Sequence, residues 1–117
     1  MTAVTLFHNK QCSTSRHALE VLQEQGVEPD VVEYLKEPLD ADQLMELIAI
    51  LDDPVEDLVR KDAFFKEQGL DAEDYTTPDE VIELLLEHPR LMQRPVLARG
   101  DRAIIGRPKD RVEPFIQ

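Results

Sequence analysis

Residues 3–35 read as strand, polar loop, helix and strand, which constrains how the chain can open. Ala3 to Phe7 is short, apolar and rich in β-formers, so it reads as a buried strand. His8 to Cys12 is polar and reads as a loop. A helix is predicted from Ser13 onward, where Ala18, Val21, Leu22 and Gln25 share one face, Leu19 widens it and Gly26 supplies the stop. Asp30 to Leu35 reads as a second strand. Strand, helix and strand in this order favour a parallel pair joined by a right-handed crossover.

The middle of the chain is helical. Asp40 caps a helix with Gln43 three residues on, as in a capping box, and Leu44, Leu47, Ile48 and Leu51 form its apolar stripe. Asp53-Pro54 restarts a short helix with proline in the first turn, and Lys61 to Gln68 reads as another, stopped by Gly69. Thr77-Pro78-Asp79-Glu80 is the clearest cap, and Pro89 ends the helix it starts. The last third returns to strands: Pro95 to Arg99 and Arg102 to Ile105 form a hairpin around Gly100-Asp101, and Gly106-Arg107-Pro108 opens a short terminal helix. The order is β-α-β, helices, β-β-α. That is an α/β chain of the thioredoxin-like arrangement with a small mixed sheet, a single domain over 1–117 with a helical insertion at 40–88.

Composition narrows the function classes. With 117 residues and 42% hydrophobic residues, the chain is sized for one globular domain. Asp and Glu number 25 against 13 Lys and Arg, for a formal charge of −12. Such a field disfavours nucleic acid or an anionic membrane as partner, and any anionic substrate must be drawn in by a local cluster of positive groups. One cysteine excludes an internal disulfide. The N-terminal stretch lacks the basic and long apolar regions of a signal peptide, and no apolar run approaches a membrane span. The expected compartment is the cytoplasm. One cysteine and three scattered histidines give no metal-ligand spacing.

Cys12 sits where a strand gives way to a helix. A helix start presents unpaired N–H groups and about half a positive charge, which stabilise a thiolate and can cradle an oxyanion. Ser13, Thr14 and Ser15 add hydroxyl donors, Arg16 adds charge to the first turn, and His8 is placed to tune the thiol. The alternative, a small buried apolar cysteine, fits poorly with the polar neighbours Asn9, Lys10 and Gln11.

The run His8-Asn9-Lys10-Gln11-Cys12-Ser13-Thr14-Ser15-Arg16 closely resembles the active-site loop of the ArsC family, the glutaredoxin-linked arsenate reductases. Arg60 after the short helix, Gln93-Arg94-Pro95-Val96 before the third strand and Ile105-Gly106-Arg107-Pro108 after the fourth resemble three further family segments, in order. The resemblance implies that Cys12 attacks arsenate, that Arg60, Arg94 and Arg107 bind the oxyanion, and that Pro95 is cis. It further implies that glutathione resolves the adduct and glutaredoxin finishes the reduction, with no bound cofactor and the chain acting as a monomer. Family members often carry Gly directly after the cysteine; here that residue is Ser13.

Two other functions share parts of this pattern. A related thiol oxidoreductase acting on another oxyanion or on glutathione mixed disulfides would use the same loop. A non-enzymatic regulator of the Spx type is the third reading; many of those carry a Cys-x-x-Cys switch, and here its second position is Ser15. His17 and His88 are expected to be solvated, as are the acidic runs at Asp52-Asp53 and 71–74.

Overall fold

The computed structural model describes residues 3–117; Met1 and Thr2, which begin the stretch compared above with a signal peptide, lie outside them. The chain opens with β1 (Val4–His8), α1 (Ser13–Glu24) and β2 (Asp30–Glu33). A helical segment follows, with α2 (Ala41–Ile50), α3 (Ala63–Glu67) and α4 (Pro78–Glu87) joined by 3-10 turns at Val55–Leu58, Ala72–Asp74 and Pro89–Leu91. The hairpin of β3 (Val96–Arg99) and β4 (Arg102–Ile105) leads through a 3-10 turn to α5 (Val112–Ile116). The four strands form one sheet in the order β2-β1-β3-β4. β1 runs parallel to β2, while the β1–β3 and β3–β4 pairs are antiparallel.

Strand alternation sends side chains to opposite faces of the sheet, and each face is covered. Leu6, Leu97 and Ile104 are register partners on one face, packed with Ala18 and Leu22 of α1 and with Val112, Phe115 and Ile116 of α5. On the other face, Phe7, Val96 and Ile105 are aligned against the insertion, where Leu44, Leu47, Leu58, Phe65, Val81 and Leu85 are buried. Each fully buried aliphatic side chain contributes about 1.5–3 kcal/mol of burial, so two such layers hold the sheet without disulfide or metal.

The local signals act as expected at the caps. Asp40 with Gln43 and Thr77 with Glu80 both form complete capping boxes, and Pro78 occupies the first turn of α4. Gly26 follows α1 at φ +73°, a backbone state that favours glycine.

Four details differ from the sequence reading. His8 belongs to β1 and is not in the loop. β2 ends at Glu33 because the Glu33 carbonyl accepts from Lys36 and Glu37 N–H, turning the chain, and Tyr34 is buried in that turn. Pro54 caps a 3-10 turn and does not start an α-helix. Asp52 and Asp53 are not simply solvated. Leu51 bridges to Ala103 and the Asp52 N–H donates to the Ala103 carbonyl at 2.8 Å, so the end of α2 is stitched to the outer edge of β4. Asp53 then pairs with Arg111 at 2.9 Å and accepts from the Ile105 N–H at 2.8 Å.

Gly106 is a glycine for want of room. A Cβ there would meet the Pro95 ring at 2.8 Å and Leu97 at 3.1 Å, both rigidly packed, while its N–H donates to the Pro95 carbonyl at 2.8 Å. Gly106→Ala is therefore expected to destabilise the fold by about 1–3 kcal/mol through overpacking. The midpoint of urea unfolding checks this; a midpoint equal to that of the wild type would show that the ring can yield.

Candidate active site

The loop between β1 and α1 is fixed by its own polar groups. The Cys12 N–H donates to the Asn9 carbonyl at 3.0 Å, and the Asn9 side-chain carbonyl accepts from the Gln11 N–H at 3.0 Å. The Asn9 N–H donates to Ser15 Oγ at 3.1 Å, and Ser15 Oγ lies 2.7 Å from His8 Nδ1. Arg16 Nη1 donates to the Lys10 carbonyl at 2.9 Å. Cys12 is the cap residue of α1, with extended backbone and no side-chain cap bond. Ser13 takes its place without strain: among the described residues no non-glycine has positive φ, so glycine is not required after the cysteine.

Positive groups from distant segments converge on that sulfur. Arg107 Nη2 donates to Cys12 Sγ at 3.2 Å, and Arg107 Nε donates to the Arg94 carbonyl at 2.7 Å. Burial pushes the Cys12 thiol up, yet the Ser15 amide, the Arg94 guanidinium, the Thr14 amide and the Arg107 charge together hold it below its ordinary value. Cys12 as a residue is half-buried.

The arginines are placed by backbone pairing. Val59 and Met92 form an isolated antiparallel bridge, flanked by Arg60 N–H to the Leu91 carbonyl at 2.6 Å and Gln93 N–H to the Leu58 carbonyl at 2.7 Å. This short ladder sets Arg60 beside Gln93, whose side-chain carbonyl accepts from Arg60 Nη1 at 3.2 Å. Asp62 holds the other side of Arg60 through Nε at 3.1 Å. Arg94 Nη1 donates to the Arg90 carbonyl at 3.2 Å, while its Nε is buried with no partner among the described residues. A buried guanidinium nitrogen left unpaired is a donor with capacity for an acceptor. The Arg94–Pro95 bond is cis, as the resemblance implies; Arg107–Pro108 is also cis, which nothing in the sequence reading anticipated.

The structure therefore gathers Cys12, Arg94, Arg107 and the Thr14 and Ser15 amides, with Arg60 tied in through Gln93. Three expectations are revised. Ser15 offers its amide and not its hydroxyl, because Oγ is fully buried between His8 and the Asn9 N–H. His8 bonds Ser15, and burial together with the Arg16 charge holds its pKa down against the pull of Glu33, so it acts on the loop as a neutral ring. Arg16 clamps the Lys10 carbonyl from the exposed side of the loop.

Tyr34 was missed. It is 1% exposed, and its hydroxyl donates to the Met92 carbonyl at 3.2 Å, tying the end of β2 to the segment that carries Arg94. Burial raises the Tyr34 pKa against the opposing charge and hydrogen bonding of Arg94. Its position at the end of a predicted strand was visible in the sequence, but its partner lies 58 residues away.

A parallel β-α-β unit and an antiparallel hairpin in one sheet, with a single thiol held among positive charges at the first helix start, define a thioredoxin-like thiol protein. A model of the ArsC family matches residues 7–115. An arsenate reductase of Escherichia coli is 39% identical over 113 residues, covering 96% of this chain and 79% of the relative. YfgD of E. coli strain K12, described as an uncharacterized protein, is 40% identical over 111 residues, covering 93% and 92% respectively. Among solved structures, an arsenate reductase from Vibrio cholerae matches with a TM-score of 0.83 at 31% identity, covering 95% of each chain. The chain belongs to the ArsC family.

The lowered Cys12 pKa has a defined sign. Alkylation should rise with pH through a midpoint below the ordinary thiol value of about 8.5. Arg107→Ala removes a donor and a charge from the thiolate, so its midpoint is expected to move up and its rate at pH 7 to fall. Because the folded state favours the thiolate, this group adds stability above the unfolded pKa and loses it as pH falls through the folded one. Iodoacetamide rates across the pH range check both; a wild-type midpoint at or above the ordinary value would contradict the geometry.

Proposed function

We propose that this chain reduces arsenate to arsenite through a covalent adduct on Cys12, with glutathione and glutaredoxin supplying the electrons. The observation that carries this reading is the Cys12 sulfur held 3.2 Å from Arg107 Nη2 at a helix start, with the buried, unpaired Arg94 Nε in the same arginine cluster. A tetrahedral oxyanion supplies the acceptor that Arg94 lacks and the negative charge that the cluster favours, and guanidinium forks grip such oxygens in pairs.

In the first step the Cys12 thiolate displaces one arsenate oxygen, which takes up protons and leaves as water, forming a sulfur–arsenic(V) bond. Arg94 and Arg107 neutralise the oxyanion, Arg60 completes the positive wall, and the Ser13 and Thr14 hydroxyls with the Thr14 and Ser15 amides are the remaining donors. His8 and Arg16 hold the loop in shape through Ser15 and Lys10, and Pro95 shapes the chain after Arg94. In the second step an external thiolate attacks the Cys12 sulfur. The sulfur–arsenic pair stays on arsenic, which becomes arsenic(III), and Cys12 is left in a mixed disulfide. Overall two thiols become one disulfide while arsenate becomes arsenite and water.

The chain holds one cysteine, so the second sulfur comes from outside. Glutathione is the abundant cytoplasmic thiol, and a dithiol partner such as glutaredoxin removes the mixed disulfide. The chain is taken to act as a monomer. The chemistry calls on no metal or bound cofactor.

Arsenite formation is expected with glutathione plus glutaredoxin and not with thioredoxin alone, and Cys12→Ser is expected to abolish it. Arg94→Ala should lower kcat/KM by about 10²–10³-fold, the usual loss for one donor on a developing charge. A coupled arsenite assay with each reductant checks these outcomes. Activity persisting in Cys12→Ser would remove the nucleophile, and equal turnover with thioredoxin would remove the glutathione route.

A further inference from the structure

A groove of about 320 Å³ is lined by Asp53, Asp57, Lys61, Gln93, Arg107 and Arg111, with Val59 and Ile105 as its apolar part. Its volume falls at the lower end of small-molecule sites, which run from about 300 Å³ upward. Arg107 belongs to both this groove and the thiol site, since its Nη2 touches Cys12 Sγ at 3.2 Å. Gln93 is likewise shared through Arg60.

The charges in the groove are not all spent on one another. Arg111 and Asp53 neutralise each other at 2.9 Å. Lys61 Nζ donates to the Glu56 carbonyl at 2.7 Å, yet neither Lys61 nor Asp57 enters an ion pair among the described residues. Two side chains of opposite sign thus line one cavity with no ion pair between them. The cavity at Asp74, Glu80, Glu83 and Glu87 carries no cation, nor does the one between α2 and the sheet with Glu37 and Glu46. In a chain of net charge −12, these would repel an anionic ligand.

We propose that this groove is the site of the resolving thiol, and that it recognises a peptide-like thiol bearing carboxylates and an ammonium. This rests on the reading of Cys12 as a nucleophile resolved from outside. A carboxylate faces Lys61, a second lies toward Arg107, and the ammonium meets Asp57. The thiol then enters from the Arg107 side, next to the sulfur it must attack. Glutathione has this set of charges, whereas a neutral thiol such as 2-mercaptoethanol has none of it.

The test titrates S-methylglutathione, which cannot form a disulfide, into the full-length protein labelled with ¹⁵N. Saturable shifts are expected in the amides of Asp57, Lys61, Gln93 and Arg111. Lys61→Glu should weaken binding about fivefold, as loss of an exposed ion pair implies. Lys66→Glu makes the same change in total charge on the exposed face of α3 and should leave binding as it was. In turnover, Lys61→Glu should raise the KM for glutathione while 2-mercaptoethanol is used equally well by both proteins. Shifts confined to other surfaces, no saturable binding in the millimolar range, or equal weakening by Lys66→Glu would overturn the groove. If the wild type binds S-methylglutathione here yet reduces no arsenate, the groove stands and the arsenate reading falls. If it reduces arsenate while the groove amides stay still, the reverse holds.

Discussion

The Arg107 guanidinium joins the two halves of the structure. Its Nη2 donates to Cys12 Sγ at 3.2 Å and its Nε to the Arg94 carbonyl at 2.7 Å. The first contact reaches the loop after β1, and the second reaches the segment before β3. Arg107 itself stands just past β4, where Gly106 packs against Pro95 and Leu97 with no room for a side chain. The sheet order β2-β1-β3-β4 makes this possible, because β1 is adjacent to β3 and β3 to β4. Residues 12, 94 and 107 thus meet because three strand ends lie side by side.

The helical insertion does more than cover one face of the sheet. Its return passes along β4 through the Leu51–Ala103 bridge, and its far end pairs with the segment before β3 through Val59 and Met92. Arg60 is carried on that second seam, and Tyr34 fastens the same segment to the end of β2. A strongly acidic chain can in this way present a local positive wall. Most of its carboxylates stay on the surface, while Asp62 and Asp53 orient Arg60 and Arg111 without cancelling Arg94 or Arg107.

Much of this was legible in the sequence. The β-α-β opening, both capping boxes and the hairpin followed from periodicity and turn residues, because those signals act over a few residues. Cys12 was readable as a helix-start thiol for the same reason. The arginines were not readable from composition or spacing, since nothing within a few residues distinguishes Arg94 or Arg107 from Arg99 or Arg102; the resemblance of their segments singled them out. Long-range pairing explains what was missed. The Tyr34–Met92 bond and the Asp53–Arg111 pair each span 58 residues, so neither partner is visible when the chain is read locally. Ser15 shows the opposite error: its hydroxyl invited a ligand role, but the return of His8 into β1 takes it up.

The central claim is that the Cys12 sulfur, held by Arg107 at the start of α1, bonds directly to an oxyanion's central atom. X-ray absorption at the arsenic edge, on protein mixed with arsenate and no external thiol, reads that bond without relying on turnover. A sulfur neighbour to arsenic is expected in the wild type and is expected to vanish in Cys12→Ser. Arsenic surrounded by oxygen alone in the wild type, with arsenate bound, would contradict it.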